Sequence, residues 1–128
     1  EGVRVGPHNL MEYNLVSRTG LLQHDGSAIN VGVHCIEGTT LRRNWIHDTP
    51  KAALRFDSAN MGSPDVRYGS SGTMVENVVW NTMQIKVKGE DHRILANTAF
   101  DNERIDLAVL DDPLSGGINT NDFLSIDP

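Results

Sequence analysis

Three basic residues fall in short apolar segments, where a binding site for an anion could form. Arg55 lies in Ala53-Leu54-Arg55-Phe56, and Lys86 and Lys88 lie in the segment that follows Gln84. Arginine can hold a carboxylate or a sulfate through two parallel hydrogen bonds, and neighbouring lysines add positive charge. Asp57 follows Arg55 closely. The alternative is therefore a solvated face on which Asp57 and Lys88 form an ion pair that contributes little.

A second candidate group consists of histidines that adjoin carboxylates or turns. Its members are His24-Asp25, His34, His47-Asp48 and, further on, His92. A histidine can act as an acid or base, or bind a metal, when a carboxylate orients its ring. The spacing His-Glu-X-X-His is absent, so the metal signal is weak. His47 is the candidate acid/base, and the alternative is hydrogen bonding within the turns.

Trp80 is a candidate for stacking against a sugar ring, together with Phe100, which occupies the same position of a repeat described below. Both rings could equally pack under a loop. The longest break between predicted strands is 58–71, which contains Asp65, Arg67 and Tyr68. Long insertions in repeat proteins often carry functional residues, so we expect this loop to cover one face.

Composition excludes several function classes. The chain has 128 residues, with 11 basic and 17 acidic side chains and a net charge of −6. This charge argues against a nucleic-acid binder, and no apolar run is long enough to cross a bilayer. Cys35 is the only cysteine, which excludes an internal disulfide and favours a small core residue over a nucleophile. No signal peptide is visible and the chain starts at Glu1, so we expect it to be processed or part of a longer protein.

The elements that would position these residues are predicted by an internal repeat. Each copy has an apolar residue three positions before an asparagine and another two positions after it; the asparagines are Asn14, Asn44, Asn77 and Asn97. Their steps of 30, 33 and 20 residues suit one turn of a β-helix each, with insertions of variable length. Asparagines at such corners can bond to the turn backbone and to one another in a ladder. The alternative is a β-sandwich, which should show Asn-Gly hairpin turns that this sequence lacks.

A second strand follows each repeat asparagine, and its register places outward side chains in columns. Aligning Ile29, Leu54, Ile85 and Leu107 gives one outward column of Asn30, Arg55, Lys86 and Ala108, and another of Gly32, Asp57, Lys88 and Leu110. Strand alternation puts the intervening residues inside: Ile29, Val31, Leu54, Phe56, Ile85, Val87, Leu107 and Val109. The prediction is an all-β, right-handed parallel β-helix with few or no helices. It has about four coils, over residues 1–32, 33–58, 59–89 and 90–113, with 114–128 as a tail or the start of another coil.

Two segments carry a family resemblance. Asn44-Trp45-Ile46-His47-Asp48-Thr49-Pro50 followed by 53–57, and Asn77-Val78-Val79-Trp80-Asn81-Thr82 followed by 85–89, resemble repeats of bacterial right-handed parallel β-helix proteins. That superfamily includes pectate, alginate and chondroitin lyases and glycoside hydrolases, many of them secreted. In such lyases a base removes the proton beside a uronate carboxylate, and a cation neutralises that carboxylate. The resemblance implies Lys86 or Lys88 as the base and Arg55 as the neutralising cation.

These observations give one leading functional prediction and two alternatives. The leading prediction is an extracellular or periplasmic segment that binds an acidic polysaccharide and is a candidate to cleave it, with Lys86, Arg55 and His47 catalytic and Lys88, Asp57 and Trp80 binding substrate. The alternatives are a structural or adhesive solenoid and a scaffold that self-associates through uncapped coil ends. No cofactor is predicted, although calcium is conceivable at Asp101 or at Asp111-Asp112.

Overall fold

The computed structural model describes residues 2–22, 24–57, 69–110 and 122–124, and these form three parallel sheets. Sheet A contains β1 (Val3–Val5), β4 (Ser27–Gly32), β7 (Ala52–Asp57), β10 (Ile85–Lys88) and β13 (Leu107–Leu110). Sheet B contains β2 (Leu10–Glu12), β5 (Thr40–Arg42), β8 (Thr73–Val75), β11 (Arg93–Leu95) and β14 (Asp122–Leu124). Sheet C contains β3 (Leu15–Ser17), β6 (Trp45–His47), β9 (Val78–Trp80) and β12 (Thr98–Phe100). A single 3₁₀ turn at Val33–Cys35 is the one helical element of the described chain.

The chain visits sheets B, C and A in that order and repeats the cycle four times. The cycles are β2–β4, β5–β7, β8–β10 and β11–β13, and each strand pairs in parallel with its counterpart one coil away. Parallel strands joined by crossovers are almost always right-handed. The predicted all-β fold, a right-handed parallel β-helix of about four coils, is confirmed. Strand β14 pairs with β11 and so begins a further coil within 114–128.

Three corners turn the chain in each coil, and each uses a residue with positive φ. The residue before each repeat asparagine has φ between 49° and 56°, as do the residues four positions after it, at 49° to 52°. A third set precedes sheet B: His8, Gly38, Ser71 and Asp91. A left-handed residue bends the chain sharply within one position and directs it into the next sheet. This explains why sheets B and C are built from strands of three residues.

The asparagines stack as predicted. The backbone N–H of Asn44 and its side-chain Nδ2 both donate to Oδ1 of Asn77, at 3.0 Å each, while Nδ2 of Asn44 also donates to the carbonyl of Met11 at 2.9 Å. The same pattern joins Asn14 to Asn44 and Asn77 to Asn97. The ladder satisfies turn amides that would be costly to bury unpaired. We call this set of four asparagines the Asn corner; it lies between sheets B and C.

The core fills the space between the three sheets. Six of the eight predicted inward residues of sheet A are buried: Ile29, Val31, Leu54, Phe56, Ile85 and Val87. Leu107 and Val109 are half-buried because β13 is the last described strand of its sheet. Ile36, which follows the 3₁₀ turn, is also fully buried, and the adjacent Cys35 packs against the core. This agrees with a packing role for the single cysteine.

Candidate functional site

The outer face of sheet A carries the basic residues that the sequence places in one column. Arg55 pairs in register with Asn30 on one side and with Lys86 on the other, and Lys86 pairs with Ala108. Arg4 extends this column by one strand, because it pairs with Asn30. Neighbouring strands lie about 4.8 Å apart. The register therefore brings Arg55 and Lys86 together as predicted.

Two carboxylates bind the guanidinium of Arg55. Its Nη1 lies 2.8 Å from Oδ1 of Asp25, and its Nη2 lies 2.8 Å from Oδ2 of Asp57. The other carboxylate oxygen of Asp57 accepts a hydrogen bond from Nζ of Lys88 at 2.9 Å. The side chain of Arg55 is only 8% exposed, whereas that of Asp25 is 85% exposed. Burial alone would lower the pKa of Arg55, but Asp57 and Asp25 outweigh burial and raise it.

Lys86 is the exception in this group, which we call the charged cluster (Asp25, Arg55, Asp57, Lys86, Lys88). Among the described residues Lys86 forms no ion pair, although it is half-buried. Burial, then the nearby charges of Arg55 and Lys88, lower its pKa from the ordinary 10.5. Three cations face two carboxylates here, so the charged cluster keeps one uncompensated positive charge on a protein whose net charge is −6.

Asp25 is a member of the cluster that the sequence argument did not include. It lies in the turn before β4, and its Oδ1 also accepts the backbone N–H of Gly26 at 2.8 Å. That bond, followed by the bond and charge of Arg55, lowers the pKa of Asp25. No column of the sequence alignment includes it, because Asp25 lies in a turn outside the aligned strands.

The outer face of sheet C carries a row of stacked rings. His47 lies over Trp80 with ring centroids 4.3 Å apart and an interplanar angle of 8°, and Trp80 lies over Phe100 at 6.0 Å and 2°. Trp45 meets the edge of Trp80 at 6.1 Å. Trp45 is 57% exposed and Phe100 is 43% exposed. We call His47, Trp80, Phe100 and Trp45 the aromatic row; Trp45 and Phe100 are its exposed rings, whereas Trp80 is stacked between His47 and Phe100.

Polar groups border the aromatic row where the chain turns from sheet C to sheet A. Nδ1 of His47 lies 2.9 Å from Oδ2 of Asp48, and the other oxygen of Asp48 accepts a bond from Nδ2 of Asn81 at 2.6 Å. The bond from Asn81, and then that from His47, lower the pKa of Asp48. Asp48 and Asn81 line an open groove together with Arg18 and Glu103. Hydrogen-bonding groups beside exposed rings suit a polar ring-shaped ligand such as a sugar.

The predicted site residues therefore fall into two groups. Arg55, Asp57, Lys86 and Lys88 share the outer face of sheet A, whereas His47 and Trp80 share that of sheet C. His47 lies on a different sheet from Lys86 and Arg55, although the three were predicted to be catalytic together. Of the predicted loop 58–71, residues 58–68 lie outside the described part of the chain, and with them Asp65, Arg67 and Tyr68.

His92 has a structural environment. Its side chain is fully buried; Nδ1 accepts the backbone N–H of Gly72 at 3.1 Å, and Nε2 donates to the carbonyl of Lys88 at 2.9 Å. The ring packs on Phe56 with centroids 4.9 Å apart. Burial lowers the pKa of His92, which favours the neutral ring that these two bonds require.

Within the described ranges, no group of three or more His, Cys, Asp or Glu side chains is arranged to hold a metal ion. Asp111 and Asp112, where calcium was considered, lie outside those ranges. The described part of the chain also contains no helix of the length and apolarity that crossing a membrane requires.

Comparisons of the chain with family models, with curated proteins and with solved structures gave no match. The fold therefore rests on the register and the sheets described above, and the resemblance to polysaccharide-active β-helix proteins stays a prediction. A fold alone does not define a function, so the functional argument has to come from the two outer faces.

Proposed function

We propose that this β-helix binds a polysaccharide that carries carboxylates, along the outer face of sheet A. The observation that carries the proposal is the charged cluster, in which Lys86 is half-buried beside two cations and has no carboxylate partner among the described residues. A half-buried ammonium group with no counter-ion is unfavourable, so a ligand carboxylate beside Lys86 would gain both attraction and relief of repulsion.

The other cluster residues have supporting roles. Asp57 bonds to both Arg55 and Lys88, so it fixes the two cations on either side of Lys86. Arg55 provides a planar donor set that suits a carboxylate, and Lys88 adds charge. Sheets of a β-helix repeat their surface along the axis, which matches a polymer better than an isolated small molecule.

Cleavage by β-elimination is the catalytic extension of this proposal. The neutral amine of Lys86 would take the proton from the carbon beside the uronate carboxylate, a carbon–carbon double bond would form, and the glycosidic carbon–oxygen bond would break as its oxygen takes a proton from water. Lys86 suits the role of base better than Lys88, whose ammonium group is held by Asp57. The lowered pKa of Lys86 leaves more neutral amine at a given pH, so the rate should rise with pH below 10.5.

The aromatic row adds a second contact surface to the proposal. Its two exposed rings, Trp45 and Phe100, would contact sugar rings while Asp48 and Asn81 bond to hydroxyl groups. His47 belongs to this surface, and its acid/base role stays a prediction for sheet C rather than for the cluster on sheet A. Trp45→Ala should weaken binding of the polymer, because it removes the most exposed ring of the row.

The experiment is to measure binding of polygalacturonate by calorimetry and formation of the unsaturated product by ultraviolet absorbance. Lys86→Gln should weaken binding at least about tenfold and abolish any product signal. The matched control is Arg93→Gln, which removes one exposed positive charge from β11 in sheet B and should leave both readings unchanged. If the wild-type protein binds the polymer but forms no product, the binding proposal stands and the proposal of lyase activity is rejected. No binding would contradict the proposal.

The second candidate is a structural or adhesive solenoid with no ligand on sheet A. The observation that favours it is the pairing of Arg55 with two carboxylates and of Lys88 with one. A self-associating form of this candidate would join coil ends. In the described chain, β1, β2 and β3 each pair on one side only, and Arg4 and Glu12 lie in an open groove at that end. A mass that rises with concentration, measured by sedimentation, would support this form.

A further inference from the structure

Arg55 binds its two carboxylates in very different surroundings. Asp57 lies in β7 itself, is 30% exposed and also bonds to Lys88. Asp25 reaches Arg55 from a turn one coil away, is 85% exposed, and its described partners are Arg55 and the neighbouring backbone of Gly26. The buried guanidinium thus has one partner, Asp57, that is held by a second cation, and one partner, Asp25, that is exposed to solvent.

We infer that the carboxylate of Asp25 occupies the position on Arg55 that a ligand carboxylate takes, and that the ligand displaces it. This inference rests on the proposed function, since it names the subsite at which a uronate group would bind. The subsite consists of the Nη1 edge of Arg55 and the neighbouring ammonium group of Lys86, whose charge already acts on Asp25.

Displacement of Asp25 is physically easy. Solvent screens the carboxylate of Asp25, which is 85% exposed, and the released carboxylate would be hydrated at once. Asp57 could leave only by breaking bonds to two cations in a partly buried place. Of the two carboxylates, Asp25 is therefore the exchangeable one.

A ligand carboxylate can use this subsite more fully than Asp25 does. Oδ1 of Asp25 accepts from both Nη1 of Arg55 and the backbone N–H of Gly26, and among the described residues Asp25 forms no bond to Lys86. A ligand carboxylate in its place could give one oxygen to Nη1 of Arg55 and the other to the ammonium group of Lys86.

The test compares Asp25→Asn with the wild-type protein in binding of oligogalacturonate. Asparagine keeps an oxygen for the N–H of Gly26, so the turn is retained while the competing charge is removed. The variant should bind about fivefold tighter. Glu37→Gln is the control, because it makes the same change of net charge at an exposed position outside the cluster, and it should bind like the wild type. Equal affinities of the two variants would overturn the inference.

A nuclear magnetic resonance titration separates this inference from the proposed function. The backbone amide of Gly26 and the Nε–H of Arg55 should shift when either oligogalacturonate or concentrated acetate is added, and neither should shift with a neutral galactose oligomer. If acetate shifts these signals but the oligomer does not bind, displacement of Asp25 is supported and polysaccharide binding is refuted. If the oligomer binds while the Gly26 and Arg55 signals stay unchanged, polysaccharide binding is supported and displacement of Asp25 is refuted.

Discussion

Two corners of the coil meet the same demand with different side chains. The Asn corner uses asparagine in every coil, whereas the corner between sheets A and B, which we call the His92 corner, uses Asn9, Thr39, Gly72 and His92 in turn. In both corners a side chain of one coil accepts the backbone N–H of the coil before it: Oδ1 of Asn77 accepts from Asn44, and Nδ1 of His92 accepts from Gly72. The two corners thus share the same kind of hydrogen bond between coils, but only the Asn corner uses the same residue type in every coil.

The difference separates a corner that repeats one residue type, the Asn corner, from one whose residue type changes from coil to coil, the His92 corner. A uniform ladder is independent of pH, because amides do not titrate near neutrality. The His92 corner contains a titratable acceptor and one position with no side chain, and its His92 bonds to the carbonyl of Lys88 in the charged cluster. The corner whose residues differ from coil to coil is therefore hydrogen-bonded to β10, the strand that carries Lys86 and Lys88.

The largest predicted effect is the loss of the ladder in the middle of the Asn corner. Asn77→Ala would leave the buried N–H of Asn44 and the carbonyl of Leu41 without partners, at about 1–3 kcal/mol each. We expect the free energy of unfolding to fall by about 4 kcal/mol in urea denaturation. Asn14→Ala, at the exposed end of the same ladder, should cost about 1 kcal/mol or less. Equal losses at the two positions would contradict a cooperative ladder.

A somewhat smaller effect is predicted at the His92 corner. In Gly72→Ala, the new Cβ would lie 2.7 Å from Cγ2 of Ile36 and 2.7 Å from the ring of Phe56. Overpacking of this kind costs about 1–3 kcal/mol. Gly32→Ala is the matched control, since its Cβ would meet Arg4 at an ordinary 3.7 Å and its φ is −75°. If thermal denaturation showed no difference between the two variants, tight packing would not explain the glycine.

The next prediction concerns pH and separates the two corners directly. The pKa of His92 lies below its ordinary 6.5 in the folded state because of burial, although the charge of Asp91 and the carbonyl of Lys88 oppose this shift. The unfolded chain then binds more protons below pH 6.5, so the contribution of His92 to stability is present above 6.5 and is lost as pH falls towards the lower folded pKa. Phe56, which packs on the ring, carries no charge.

Protonation at Nδ1 would also remove the acceptor of the Gly72 N–H, at a cost of about 1–3 kcal/mol. We therefore expect the melting temperature of the wild-type protein to fall between about pH 7 and about pH 5, with a shallower fall in His92→Asn. Asp25 and Asp48, whose pKa values are lowered from 3.8, lose their contributions only at lower pH. A wild-type slope equal to that of the variant would refute the role of His92.

Much of the fold was predictable because the Asn corner is chemically uniform. The four asparagines located the coils, and alignment of the apolar strand that follows each of them gave the register of sheet A, including the pairing of Arg55 with Lys86. The His92 corner escaped detection because its residues share no side-chain type, although it lies five residues before the Asn corner in every coil. Each repeat reads as one apolar unit in the sequence, whereas in the structure the residue with positive φ divides it into two strands.

The candidate site was predictable only along a sheet. The column logic brought Asp57 to Lys88 and His47 to Trp80, as the structure shows. It gave no information about distances around the coil, so it could not separate His47 from Lys86. Asp25 was missed because it lies in the turn before β4, outside the aligned strands, so no column includes it.

The smallest predicted effect tests the strain that the Asn corner accepts and the His92 corner partly avoids. The residues of positive φ that immediately precede the His92 corner include a glycine, Gly38, at 67°. Those that immediately precede the Asn corner are all non-glycine: Tyr13, Arg43, Glu76 and Ala96. A non-glycine residue in this region costs about 1–2 kcal/mol, and glycine adds about 0.5–1 kcal/mol of unfolded-state entropy.

Ala96→Gly, at φ 49°, should therefore raise the free energy of unfolding by about 0.5 kcal/mol, measured in urea. Ala99→Gly, three residues on in β12, has no such strain to relieve and should lower it by about 1 kcal/mol. Opposite signs at two alanines of one coil would show that the Asn corner holds strained backbone in place through its ladder. Two losses of similar size would mean that position 96 is not strained, and that the two corners differ in side-chain chemistry alone.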